Sequence, residues 1–132
     1  MSALLDTHSA IWYLHTPDKL STPALDMIRK SIAKHAPVFL SAISLVETVY
    51  LTGSGRLPFD AWRLLNEAVK SPHSGMLVQP IDEAVAALTR DVSRASVPDM
   101  PDRIIAATAL HLGLPLITRD RRLQAVGIKT IW

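Results

Sequence analysis

Short apolar runs alternate with longer amphipathic stretches along the chain, and this alternation constrains the fold more than any other feature. Apolar runs in which every position is nonpolar are typical of strands that are covered on both faces. Five segments are predicted as such strands: 3–5, 38–40, 76–78, 115–118 and 129–132. Each connection is long enough for a helical crossover. We therefore predict a three-layer α/β domain with a parallel five-stranded sheet flanked by helices.

The stretches between these runs carry the residues that begin and end helices. Helices are predicted to begin after Ser21 and after Asp60, since both residues can accept hydrogen bonds from free backbone N–H groups. Three more are predicted over residues 44–51, 84–95 and 101–113, the first and last of them ending near glycine.

Length and composition are those of one globular domain, which we predict to span residues 1–132. The hydrophobic fraction of 48% excludes a disordered chain. The sequence has no cysteine, which excludes disulfides, thiolate zinc sites and a cysteine nucleophile. With no basic leader before Asp6 and no apolar run of about 18 residues, we expect a cytoplasmic protein with no membrane partner.

Four acidic residues fall at the edge of the predicted sheet where parallel α/β folds bind their ligands. Asp6 follows the first strand and Glu47 lies in the helix after the second. Asp102 is in the first turn of the helix before the fourth strand, and Asp120 comes just after that strand. Clustered carboxylates repel one another unless a cation neutralises them. Oxygen ligands without thiolate favour Mg²⁺ or Mn²⁺ over zinc, so a divalent metal site is predicted here.

Each of these acids also has a purely structural interpretation. Asp6 could cap the following helix, and Glu47 could complete a capping box with Ser44. Asp102 could complement a helix dipole, and Asp120 could belong to a turn. The convergence of all four at one edge favours the functional interpretation.

Other polar and aromatic residues rank below these four. Asp99, in the loop before Asp102, and Thr118, at a strand end, are predicted to support the site. Asp82 and Glu83 also follow a strand, but adjacent acids at a helix start are ordinary dipole complements. The five histidines show no metal-ligand spacing and are predicted to lie mostly at the surface or in helix packing. The three tryptophans are predicted to be core or interface residues.

Four segments around the acids match one known family in order and spacing. They are LLDTH at 4–8, SAISLVE at 41–47, PDRIIAATA at 101–109 and LITRD at 116–120. In these segments the chain resembles PIN-domain ribonucleases, specifically the VapC-like toxins of bacterial type II toxin–antitoxin systems. The resemblance covers nearly the whole chain.

The resemblance implies a parallel five-stranded sheet, with the strands before Asp6 and Asp120 central and the strand before Asp82 at an edge. It implies that Asp6, Glu47, Asp102 and Asp120 are the catalytic metal ligands of an endoribonuclease that uses Mg²⁺ or Mn²⁺. Hydrolysis by a metal-activated water would leave 5′-phosphate and 3′-hydroxyl ends. The resemblance also implies a homodimer and a cognate antitoxin that inserts a segment near the active site.

RNA must approach an acidic pocket, so basic residues are needed around its rim. The net charge is only +2, and the position of the basic residues therefore matters more than their number. Four arginines that adjoin the acids are candidates for RNA binding: Arg103, Arg119, Arg121 and Arg122. Arg90 and Arg94 could extend this basic surface.

Two other classes of function remain open at this point. The first is a catalytically silent PIN-fold module that binds RNA or a protein. The second is a receiver-type phospho-acceptor domain, which would require paired acids after the first strand and a lysine at the end of the last one. Here Asp6 stands alone, and Lys129 enters the last strand from the opposite end.

Overall fold

Five parallel strands form the central sheet of the computed structural model, which describes residues 1–132. In chain order they are β1 (Ala3–Leu5), β2 (Val38–Ser41), β3 (Met76–Gln79), β4 (Leu116–Ile117) and β5 (Thr130–Ile131). Their spatial order is β3-β2-β1-β4-β5, and every neighbouring pair is parallel. The predicted α/β fold with a parallel five-stranded sheet is confirmed, with β1 at the centre, β4 beside it and β3 at an edge.

Seven α-helices connect the strands. They are α1 (Thr7–His15), α2 (Thr22–Ala33), α3 (Ala42–Gly53), α4 (Phe59–Lys70), α5 (Glu83–Leu88), α6 (Met100–Leu112) and α7 (Arg121–Gln124). Two short 3₁₀ turns, Pro17–Lys19 and Thr89–Asp91, follow α1 and α5. A membrane-crossing segment is not found among these helices, because none combines the required length with sufficient apolar character.

The sheet is covered on both faces, and β1 shows why its sequence is apolar throughout. Ala3 and Leu5 belong to a core cluster with residues of α1, α2 and α4. Leu4 points to the other face and belongs to a second cluster with residues of α6 and α7. Successive side chains of a strand alternate between faces, so a strand between two helical layers needs apolar residues at every position.

Helix α3 begins at Ala42, two residues before the predicted start at Ser44. Ser41 caps the helix, because its hydroxyl oxygen accepts a hydrogen bond from the Ile43 amide at 3.2 Å. Ser44 is instead buried within the first turn. Ser41 and Ser44 can both cap a helix, and the predicted start at Ser44 is wrong.

Helix α5 ends at Leu88, well before the predicted end near residue 95. The Arg103 guanidinium of α6 donates hydrogen bonds to the carbonyls of Thr89 and Val92, both at 2.5 Å, and to that of Val97 at 3.5 Å. Arg103 thus satisfies carbonyls beyond the end of α5 and stabilises this segment in a path that does not continue the α-helix.

Candidate functional site

The predicted acids all line one open cavity at the carboxyl edge of the sheet. The cavity has a volume of about 530 Å³ and is lined by Asp6, Thr7, His8, Trp12, Glu47, Asp99, Asp102, Arg119 and Asp120. Residues that are far apart in the sequence meet here because the carboxyl ends of β1, β2 and β4 lie side by side in the sheet.

Asp6 is both a helix cap and a member of the cavity wall. Its Oδ1 accepts a hydrogen bond from the Ser9 amide at 2.9 Å, which caps α1. Its Oδ2 accepts a hydrogen bond from the Thr118 hydroxyl at 2.5 Å. Burial raises the pKa of the Asp6 carboxyl, while the hydrogen bonds from Thr118 and Ser9 oppose this rise. The structural and functional interpretations of Asp6 are therefore compatible.

Glu47 is held by two hydroxyl groups. Thr7 donates to Glu47 Oε1 at 2.6 Å, and the Thr7 and Ser44 hydroxyl oxygens are 2.8 Å apart. A threonine hydroxyl has one proton, so Ser44 is the donor in the second pair. Burial raises the pKa of the Glu47 carboxyl, and the hydrogen bond from Thr7 only partly opposes this rise. The capping-box interpretation of Glu47 is wrong, because the helix is capped by Ser41 and the carboxylate is bonded to Thr7.

Asp99 and Asp102 extend into the cavity from the start of α6 without being fixed by the chain. Asp99 occupies the cap position of the helix, but its side chain makes no capping hydrogen bond. Burial, followed by the charges of Asp99, Asp120 and Glu47, raises the pKa of Asp102 to about 7. The neighbouring negative charges in the cavity thus add to the effect of burial on the pKa of Asp102.

The Thr118 hydroxyl connects two of the acids. It donates to Asp6 and accepts a hydrogen bond from the Asp120 amide at 3.0 Å. Asp120 then caps α7, since its Oδ1 accepts from the Arg122 amide at 2.8 Å. One buried threonine therefore fixes the Asp6 carboxylate and the backbone of Asp120 relative to each other.

The candidate RNA-binding arginines divide into two groups. Arg119 lines the acidic cavity, and Arg121 and Arg122 are exposed on α7 beside it. Arg103 lies outside the acidic cavity, and its guanidinium donates hydrogen bonds to the carbonyls of Thr89 and Val92 after α5. It borders a different cavity, together with Arg90 and Arg94.

Replacing Arg103 by lysine should lower the free energy of unfolding by about 1–2 kcal/mol, because one ammonium group cannot reproduce the forked contacts. Urea denaturation would measure the loss. Arg94→Lys is the matched control, since Arg94 is exposed at the same cavity. Equal stability of the two variants would contradict a structural role for Arg103.

Four residues of the site were not predicted as functional: Thr7, His8, Trp12 and Ser44. His8 is exposed, as expected for a surface histidine, but it lines the cavity. Trp12 lies one helical turn after His8 on α1. His8 and Trp12 are four residues apart, which places them next to each other on one face of a helix. This spacing was the sequence signal that could have identified them. Thr7 and Ser44 gave none, because hydroxyl residues near helix starts usually serve as caps.

The side chains around the cavity have the right chemistry for a divalent cation. No group of three or more histidine or acidic side chains is arranged as a ready-made ion site. The five carboxylates nevertheless supply oxygen ligands, and burial together with the neighbouring negative charges raises the pKa of Asp102, a repulsion that a cation would relieve. Asp6 and Glu47 are held by hydrogen bonds, whereas the Asp99 carboxylate is free of a capping bond and can turn towards an ion.

The strand order excludes the receiver-type alternative. Receiver domains have the order 2-1-3-4-5, in which the third strand follows the first across the sheet. Here β1 lies between β2 and β4, and β3 is at the edge.

Comparisons with known proteins agree with this fold. Residues 3–129 match the family described as PIN domain. The chain is 32% identical over 130 residues to Ribonuclease VapC22 from Mycobacterium tuberculosis, covering 94% of this chain and 91% of the relative.

Solved structures give the same result for the fold. VapBC2 from Rickettsia felis, bound to a DNA fragment from their promoter, aligns with a TM-score of 0.73 at 12% identity, covering 98% of this chain and 97% of the other. FitAcB from Neisseria gonorrhoeae aligns with a TM-score of 0.64 at 25% identity, covering 98% and 96%. The family match spans nearly the whole chain, and this chain belongs to the PIN-domain family.

Proposed function

We propose that this chain is an endoribonuclease that hydrolyses RNA phosphodiester bonds with Mg²⁺ or Mn²⁺, and that it is the toxin of a type II toxin–antitoxin pair. The observation that carries the proposal is the meeting of Asp6, Glu47, Asp99, Asp102 and Asp120 in one open cavity. The full-length similarity to a protein named Ribonuclease VapC22 supports the choice of RNA as substrate. We propose that residues 1–132 act as one domain.

The acidic residues of the cavity would bind the cation. Asp6, Glu47, Asp102 and Asp120 would hold it, with Asp99 and Thr118 in support. When bound, a divalent ion supplies activation of a water molecule and stabilisation of charge on the phosphodiester. The hydroxyls of Thr118 and Thr7 orient Asp6 and Glu47. Near neutral pH, before a cation binds, Asp102 holds a proton for part of the time, because its pKa is raised to about 7.

Basic residues beside the cavity support the approach of a polyanion. Arg119 is part of the cavity wall, and the exposed Arg121 and Arg122 follow it on α7. We propose that these three arginines contact RNA phosphates, which would make binding sensitive to salt.

We further propose a cognate antitoxin as partner, a homodimer as the assembly and the cytoplasm as the location. Support for the antitoxin comes from the similarity to a toxin–antitoxin complex from Klebsiella pneumoniae and to VapBC2. The absence of cysteine suits a reducing compartment.

An RNA cleavage assay with Mg²⁺, Mn²⁺ or EDTA tests the proposed activity. We expect cleavage with either ion, products with 5′-phosphate ends, and no cleavage in EDTA. Glu47→Gln should be inactive, whereas Glu83→Gln, which alters an exposed acid of α5, should retain full activity. RNA binding without cleavage under all conditions would instead favour the catalytically silent module.

Replacing Thr7 by valine preserves the shape of the side chain but removes the hydroxyl that holds Glu47. We expect the cleavage rate to fall roughly tenfold, as is typical when a group that orients a metal ligand is lost. The matched control is Thr52→Val on α3, because the Thr52 hydroxyl bonds only backbone carbonyls of its own helix. Equal rates for the two variants would show that Thr7 does not position Glu47.

A further inference from the structure

An aromatic surface forms part of the wall of the acidic cavity. His8 and Trp12 are one helical turn apart on α1, and their ring centroids are 5.6 Å apart with the planes tilted by 49°. Trp132 packs against Trp12 in turn, with centroids 5.9 Å apart and a tilt of 57°. Trp12 is the only apolar side chain among the nine residues that line the cavity.

Trp12 is held by the core and also accessible to a ligand. It is half-buried, and it packs against the core cluster formed with α1, α2 and α4. Packing against Trp132 and the core restrains the indole, so little conformational entropy remains to be lost when a ligand covers its exposed part. Trp62 on α4 is also half-buried but does not line the acidic cavity.

We propose that Trp12 and His8 form a nucleobase subsite, in which the base of a nucleotide next to the cleaved bond stacks on the indole. This inference rests on the proposed ribonuclease function of the same cavity. Unpaired bases commonly stack on tryptophan and histidine rings in RNA-binding proteins. Because five carboxylates line the cavity and repel phosphates, an uncharged π-face provides a contact that this repulsion does not weaken.

The subsite has a consequence for the form of RNA that the protein accepts. A base inside a duplex already has both faces covered by its neighbours, so it cannot stack on Trp12. The nucleotide at this position must therefore be unpaired, whichever base it carries, since every base has a π-face.

The test removes the base and the indole separately and together. A short single-stranded RNA is compared with the same RNA carrying one abasic nucleotide, at each position in turn. Binding is measured by fluorescence anisotropy in Ca²⁺, and cleavage is measured in Mg²⁺. For the unaltered protein, we expect an abasic nucleotide at one position next to the cleaved bond to weaken binding about ten- to hundredfold.

In Trp12→Leu, the intact RNA should bind about as weakly as the abasic RNA binds the unaltered protein, and the abasic change should have no further effect. Leucine preserves an apolar side chain for the core, and thermal unfolding confirms that each variant is folded. Trp62→Leu is the matched control and should keep the full effect of the abasic change. If the abasic effect in Trp12→Leu equals that in the unaltered protein, the subsite is wrong.

The two proposals fail in different ways. Binding that depends on Trp12 without any cleavage in Mg²⁺ or Mn²⁺ would contradict the ribonuclease and retain the nucleobase subsite. Cleavage that is equally fast for the single strand and its duplex, and unchanged in Trp12→Leu, would contradict the subsite and retain the ribonuclease. No binding of single-stranded RNA to the folded protein would overturn the subsite.

Discussion

Replacing Asp6 by asparagine is expected to reduce RNA cleavage on the order of 10³-fold while leaving the protein folded. The change removes the negative charge of the carboxylate that is fixed most firmly in the cavity, between the Ser9 amide and the Thr118 hydroxyl. Asparagine still has an oxygen that can accept from Ser9, so the cap of α1 is preserved. Cleavage rates and thermal unfolding of the purified variant measure the two effects.

Asp82 provides a control with the same chemistry at another helix. It caps α5 in the same manner, its Oδ1 accepting from the Val85 amide at 2.9 Å, and it lies outside the acidic cavity. Asp82→Asn should therefore retain full activity. An Asp6→Asn variant that cleaves RNA as fast as Asp82→Asn would rule out Asp6 as a metal ligand.

Added Mg²⁺ is expected to stabilise the protein, and more strongly at pH 8 than at pH 5. An ion that binds only the folded state adds about 2.7 kcal/mol to the free energy of unfolding at a hundredfold excess over its Kd. The pKa of Asp102 is raised from 3.8 to about 7 in the folded protein. At pH 5 Asp102 is therefore protonated, and an ion must displace this proton to bind. At pH 8 the carboxylate is already ionised. Thermal unfolding with and without Mg²⁺ at both pH values measures this difference.

The metal-free protein should show the opposite dependence on pH. Because the pKa of Asp102 is raised on folding, its contribution to stability is fully present below about pH 3.8 and is lost as the pH rises through about 7. Asp102→Asn should thus stabilise the metal-free protein at pH 8 and bind Mg²⁺ more weakly. Stabilisation by Mg²⁺ that is unchanged in this variant would contradict a role for Asp102 in holding the ion.

The sequence was sufficient to place the acids, because their position depends on a general property of parallel sheets. Residues at the carboxyl ends of neighbouring strands meet at one edge, which places Asp6, directly after β1, near Asp120, shortly after β4. The bounds of β1 were also predictable, since both faces of the central strand are covered and its residues are all apolar.

Contacts between distant side chains account for what the sequence could not predict. The end of α5 depends on Arg103, which lies 14 residues after Thr89. The orientation of Glu47 depends on Thr7, 40 residues away. Local sequence patterns contain no information on such pairs. Arg103 was a candidate for RNA binding because it adjoins Asp102, and Glu47 was a candidate for a capping box because of its spacing from Ser44.

The bond between Thr118 and Asp6 has a consequence for synthesis of the protein. The two residues are 112 positions apart, and β1, although central in the sheet, is made long before its neighbour β4. A growing chain that still lacks β4 has Asp6 without its hydroxyl partner and without Asp120. The ribosome that makes this chain is thus exposed to a complete acidic cavity only after β4 and Asp120 have been translated.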